Sequence, residues 1–376
     1  MDPPRRRIAL VIAPLALLLV AIVLLLPPRN PSLRRAGRPV QDLAGREVPV
    51  PERVQRVLAL GPGSLRLVAY LDALDLVVGI EHIEKRMEND LYTRPYSSLL
   101  GEELLDLPVV GTGGAGALPD LEKVLMCRPD LVVAVGLDPV QLDNLQAKTG
   151  VPAIYLSYGE LGVWREEAHL SLTLLGKLLG REDRAARLNA YIRSLEKDLR
   201  GRVADLRDSE RPSAYFGGLS YKGAHGLDST EGGYPPALMA GAHNLADDLG
   251  KKGHFFVDKE QILVWNPDTI FIDAGCRPVL DRDFEENREF YRLLEATRTG
   301  RVLSLLAYNA YNTNIELALL NAYFIGKSLY PERYRDIDMK EKTNEIMETF
   351  LGIRPDHVPP AYRPLGFPEK GPLEWR

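Results

Sequence analysis

The sequence predicts an α/β protein built as two similar lobes, each with a central, mostly parallel sheet. Three observations carry that prediction. The first is a duplicated unit: Leu121 to Val133 and Lys259 to Phe271 each read as a short amphipathic helix, a Pro-Asp breaker and an apolar strand. Proline cannot continue a helix, and the residue before it is pushed towards extended geometry. The two Pro-Asp pairs, Pro129-Asp130 and Pro267-Asp268, lie 138 positions apart, and each has a glutamate seven residues before its proline, Glu122 and Glu260. A unit used twice at that distance indicates paired lobes, not a short-period solenoid. The second observation is the alternation of helical and short β-rich runs, the pattern of parallel α/β sheets. The third is the helical periodicity from Leu161 to about Leu206, with Leu170, Leu174 and Leu178 and then Leu188, Ile192 and Leu195 recurring every three or four residues. This segment is the expected connector helix, interrupted at Gly176 and Gly180.

Length and composition agree. The chain has 376 residues and an apolar fraction of 45%, enough for roughly two domains of about 150 residues with a leader and a tail. Arg5-Arg6-Arg7 precedes an uncharged run from Ile8 to Leu26, close to the roughly 20 residues of a membrane helix. Residues 1–38 are therefore expected to form an export signal, able to stay as a membrane anchor, and a linker rich in Pro and Arg. The body should then lie in the periplasm or on the outer face of the cytoplasmic membrane. Those 38 residues hold seven arginines and one acid, leaving a net charge of −11 on the rest. An acidic body argues against nucleic-acid binding. Two cysteines, Cys127 and Cys276, are too few for a disulfide framework and pair only if the fold brings them together.

The elements follow in order. Gly45 to Pro51 reads as an edge strand or turn, and Arg56 to Leu60 as the first core strand. Gly61-Pro62-Gly63-Ser64 turns into a helix over Leu65 to Leu71, with Ser64 expected at the N-cap. Strands are expected at Leu76–Ile80, Pro108–Val110, Leu131–Val135 and Ala153–Leu156, and a helix at Gln141–Lys148. The second lobe opens with a strand at Ser213–Phe216, followed by the loop Gly217 to Gly226. Later strands are expected at Thr269–Ile272 and Val302–Leu305. An amphipathic helix is expected over Asn314–Tyr330 and another over Lys340–Leu351. The Pro-rich residues 354–376 read as a poorly packed tail. The divisions are 39–160 for the first lobe, 161–206 for the connector and 207–353 for the second lobe.

This layout resembles the periplasmic substrate-binding proteins that serve ABC importers of iron–siderophore, haem and cobalamin. The resemblance rests on Pro129-Asp130-Leu131-Val132-Val133 after its short helix, on the second-lobe copy and on the helical connector. The segment from Tyr311-Asn312-Thr313-Asn314-Ile315-Glu316 to Gly326-Lys327-Ser328 and Tyr330 to Tyr334 is similar to the C-terminal helix of the iron-complex members. The resemblance spans about residues 40–353. It implies two Rossmann-like lobes, one ligand in the cleft between them at the carboxyl ends of the strands, and limited hinge motion. It also implies docking of Glu122 and Glu260 on arginines of a permease coupled to an ATPase. A glutamate on a short helix is otherwise a solvated residue; the paired placement favours docking. The implied cargo is a metal chelate, a ferric siderophore first and haem or cobalamin next, carried by a monomer without a cofactor of its own.

Candidate ligand contacts lie where loops follow strands. In the first lobe these are Ser64, Glu81, His82, Arg94 and Tyr96, with Tyr92 beside them, read as a polar rim. In the second lobe they are Ser220, Tyr221 and His225, then Arg277, whose fork suits an anionic chelate, and then Tyr308, Asn309, Tyr311 and Asn312. Aromatic and amide side chains suit a bulky, partly flat ligand. Structural turn roles compete at each position. The six histidines, at 82, 169, 225, 243, 254 and 357, are scattered without metal-ligand spacing, which favours a chelated metal over a bare ion. A competing class, an NAD-dependent α/β oxidoreductase, rests on Gly111-Thr112-Gly113-Gly114-Ala115-Gly116, which fits G-x-G-x-x-G after a strand. Pro119 interrupts any helix after it, and Asp130 begins its strand where the dinucleotide motif needs an acid at a strand end. Gly-x-Ser-x-Gly is absent, so no nucleophile elbow is present.

Overall fold

The computed structural model describes residues 37–86, 91–159, 166–221, 223–366 and 374–375. The expected export segment lies outside the described residues, as do positions 161–165 of the connector. Among the described residues no helix is long and apolar enough to cross a membrane.

In the first lobe, β3 (Val57–Leu60), β6 (Leu131–Ala134) and β7 (Ala153–Tyr155) form a parallel sheet in the order β3-β6-β7. A single parallel bridge, Val57 to Val77, leads towards the parallel pair β4 (Ile80–Glu81) and β5 (Val109–Gly111). The expected strand from Leu76 to Ile80 is thus broken: Leu76 ends a 3-10 turn, Val77 makes the single bridge, and regular strand appears only at Ile80–Glu81. After the expected linker, Arg38–Gln41 (β1) pairs antiparallel with Glu47–Val50 (β2).

The second lobe orders its sheet β11-β9-β8-β12-β13, with β8 (Ser213–Gly217), β12 (Ile270–Asp273) and β13 (Val302–Leu305) parallel. Two antiparallel strands were not foreseen: β9 (Ser229–Gly232) and β11 (Gly253–Phe256), which pair with each other. β10 (His243–Asn244) adds a short parallel contact to β8.

The duplicated unit is closely repeated in three dimensions. The twin helices are Leu121–Cys127 and Lys259–Trp265, with N-caps Asp120 and Asp258. Each buries its fourth position, Val124 or Ile262, and ends on a left-handed residue, Arg128 (φ 46°) or Asn266 (φ 39°). A left-handed C-terminal residue followed by Pro stops a helix sharply. Each unit then feeds an interior strand of its sheet, β6 or β12.

The connector folds as two helices, Glu166–Leu179 and Glu182–Arg202. Gly180, at φ +65°, makes the break. Gly176 continues the first helix and meets the Cβ of Ala185. The Arg193–Glu166 and His169–Asn189 pairs make the two helices an antiparallel hairpin. The second arm reaches the other lobe, where Arg202 pairs with Asp336. The largest apolar core runs without a break from Leu65 and Leu67 through Leu172 and Leu188 to Phe271 and Tyr323.

The helix Ile315–Leu329 is not amphipathic in its setting. Ile315 to Tyr323 is buried at every position, including Glu316 and Asn321, because other helices surround it. The tail also packs: Tyr362 stacks on Phe324 at 4.1 Å and donates to Asn321 Oδ1, and Leu365 is buried.

Candidate interlobe site

In a parallel sheet the loops at the carboxyl ends of the strands gather on one edge. In the first lobe that edge carries Gly61 after β3 and the glycine loop after β5. A Cβ on Gly61 would lie 2.0 Å from the Val135 carbonyl oxygen, so only glycine lets the chain turn there. The glycine loop opens no helix: Gly113, Gly114 and Gly116 all have positive φ, and the next helix starts at Leu121 beyond Pro119. The dinucleotide fingerprint is therefore not built.

The segment after β13 crosses to the first lobe and is fastened there. Arg66, fully buried, donates from Nη1 to the Thr313 carbonyl (2.9 Å) and from Nη2 to those of Ala310 (2.9 Å) and Tyr311 (3.0 Å). The Tyr311 hydroxyl donates to Glu81 and accepts from the Gly114 N–H. Asn312 donates to the Pro62 carbonyl (3.1 Å) and Asn314 to that of Thr93 (3.1 Å). The Tyr70 hydroxyl hydrogen-bonds Glu316. Tyr311 and Asn312 both sit in left-handed conformations, φ 53° and 71°. Such backbone is costly for non-glycine residues, and these bonds hold it in place.

Burial dominates the ionisation of these groups. It pushes the Glu81 carboxyl up to about 7, against the opposing hydrogen bonds from Tyr311 and the Gly61 N–H. Glu84 and Glu316 are also raised by burial, opposed by Arg94 and Arg66 respectively. Glu231, on β9, is pushed up to about 7 by burial.

Several expected rim residues are not at a rim. Arg94 and Tyr96 are buried, Arg94 pairing with Glu84 and donating to the Tyr96 hydroxyl at 2.7 Å. Their chemistry closes on itself because β4 and the turn Pro95–Leu99 pack under the crossing segment. Ser64 is buried one residue inside its helix; the N-cap is Gly63, and the Ser64 hydroxyl joins the Leu60 carbonyl to the Val135 N–H. Tyr308 is buried against Tyr234. Arg277 is bonded to Asp281, one turn along its own helix. His82 is exposed, and Asn309 is half-buried, accepting from Thr313.

Tyr221 and His225 do come together, with two residues the sequence reading missed. Tyr221 stacks on His254 at 4.3 Å, and Phe256 stands edge-on to His254 (5.0 Å) and to His225 (5.2 Å). His225 bonds the Tyr221 carbonyl, and His254 bonds the Ser229 hydroxyl, both at 2.8 Å. Tyr221 and Phe256 are exposed. The run of three ring side chains His254-Phe255-Phe256 after Gly253 was the available signal, and the antiparallel strand carrying it was not recognised. Ser220 lies beside this cluster, its N–H donating to Asp273 and its hydroxyl touching Cys276 Sγ. Cys127 and Cys276 are both buried and free. Among the described residues no group of three or more His, Cys, Asp or Glu side chains could hold a metal ion.

Residues 57–308 match the family model described as periplasmic binding protein. The chain is 24% identical over 345 residues to the molybdate-binding protein MolA of Haemophilus influenzae, covering 86% of this chain and 94% of that one. The structure of MolA bound to molybdate superposes with a TM-score of 0.66 at 20% identity, over 84% of this chain and 98% of that one. A periplasmic solute-binding protein from Veillonella parvula gives 0.67 at 22% identity, over 84% and 93%. Helicobacter pylori CeuE with Ni(II) bound gives 0.61 at 19% identity, over 84% and 96%.

Proposed function

This chain belongs to the periplasmic binding protein family, a solute-binding protein of an ABC transporter acting outside the cytoplasm and not an enzyme, and from that premise we propose that its cargo is a metal chelate, a ferric siderophore first. The observation that supports this reading is the Tyr221–His254–Phe256–His225 cluster beside the carboxyl edge of the second sheet. Exposed ring faces suit a bulky, partly flat ligand. Haem or a corrinoid would use the same ring faces.

In this reading the lobes, residues 39–160 and 207–353, hold the chelate between them. Tyr221, His225, Ser220 and His82 supply contacts, Asn309 and Asn312 lie at the crossing segment, and the N-terminal segment tethers the protein to the membrane. Glu122 and Glu260, each exposed on its twin helix, dock on the permease. Calorimetric titration with ferric catecholate and hydroxamate chelates, haem, cobalamin and molybdate tests the cargo. Saturable binding of a ferric chelate, weakened at least tenfold by Tyr221→Ala, supports the reading. Tight molybdate binding without chelate binding rejects it.

A further inference from the structure

The twin helices repeat a second exposed feature. Met126 and Val264 each follow the helix glutamate by four residues, on the same face one turn on. They are 76% and 78% exposed, at the matching sixth position of the two helices. An exposed large apolar side chain is ordinary when single; the same exposure repeated at equivalent positions beside an equivalent carboxylate is not explained by chance surface composition. Neither residue contributes to the fold, since Val124 and Ile262 supply the buried contacts of these helices.

We propose that Met126 and Val264 are the apolar anchors of the permease-docking surface, each seated in an apolar pocket beside the basic group that receives the neighbouring glutamate. This rests on the docking reading of Glu122 and Glu260. The partner that fits is a two-fold symmetric membrane component presenting, twice, one cation and one apolar pocket, because a duplicated surface is matched by a duplicated counterpart. The glutamates steer and orient the encounter, while burial of the apolar side chains slows release.

The test uses the full chain and membrane vesicles from cells producing its own transporter. Met126→Ser with Val264→Ser, glutamates intact, should weaken binding to the vesicles by about tenfold per residue, mainly through faster dissociation, with an unchanged thermal midpoint. Leu238→Ser, at an apolar residue 55% exposed on the helix Pro235–Ala240, which packs on Glu182–Arg202 and Ile315–Leu329, should change nothing. A photoreactive residue at 126 or 264 should cross-link to the permease subunit, and one at 238 should not. Unchanged vesicle binding by the double serine variant, or equal cross-linking from 238, overturns the proposal. If Glu122→Ala with Glu260→Ala abolishes binding while the serine variant binds normally, the docking reading survives and the anchor proposal fails. If the alanine variant binds normally, the docking reading of the glutamates fails and the anchor proposal falls with it.

Discussion

Tyr311 and Glu81 stand 230 positions apart in the chain, and the Tyr311 hydroxyl donates to the Glu81 carboxylate at 2.8 Å. One residue follows the last parallel strand of the second lobe, and the other ends a strand of the first. The bond belongs to a buried network that fastens the lobes at one edge. Tyr311→Phe should remove it and leave Glu81 with the Gly61 N–H alone. A buried acceptor that loses a partner costs about 1–3 kcal/mol. Urea unfolding should show that loss as a lower midpoint with an unchanged slope.

Arg66 is the larger member of the same network. Arg66→Met should leave three carbonyl oxygens short of a donor and Glu316 buried without its compensating cation. Breaking a buried charge pair on one side costs about 3–5 kcal/mol. The expected result is a large drop in unfolding free energy, partly recovered by Arg66→Met with Glu316→Gln. No recovery in that double variant would show that the carbonyl bonds alone matter.

Glu81 gives a pH dependence with a definite sign. Its folded-state value, about 7, lies above the ordinary 4.5, so folding favours the protonated form. Its contribution to stability is full below about pH 4.5, falls as pH rises towards 7, and is flat above. The difference in unfolding free energy between the wild type and Glu81→Gln should therefore change by up to about 3 kcal/mol across that window. Glu231 shifts the same way but cancels in this difference. A pH-independent difference would contradict the assignment.

The left-handed helix ends offer a contrast. Arg128 is exposed, and its backbone makes bonds that a glycine would keep: its N–H donates to the Leu125 carbonyl and its carbonyl accepts from Arg56. Arg128→Gly should relieve the backbone and raise stability by roughly 0.5–1 kcal/mol. Asn266→Gly should gain less, because the Asn266 side chain accepts from the Glu295 N–H at 2.9 Å. Thermal midpoints of the two variants make the comparison.

The sequence by itself determined the duplicated unit, the parallel strands that follow it and the family. Those features are local: a short amphipathic helix with Glu seven residues before the proline, then Pro-Asp and a β-rich run, each readable within a dozen residues. Only the tertiary structure decided which polar residues stay accessible and which are buried in the network that holds the lobes together. Arg94, Tyr96 and Ser64 carry the side chains of a binding rim, yet they are buried: Arg94 lies over the Tyr311 ring and bonds Glu84 and Tyr96, and Ser64 ties the Leu60 carbonyl to the Val135 N–H. His254 and Phe256 join the aromatic cluster because an antiparallel edge strand brings them beside Tyr221 and His225. In both cases the deciding partner lies in a different element of the chain, and burial of a polar group depends on that partner and leaves no mark in the residues around it.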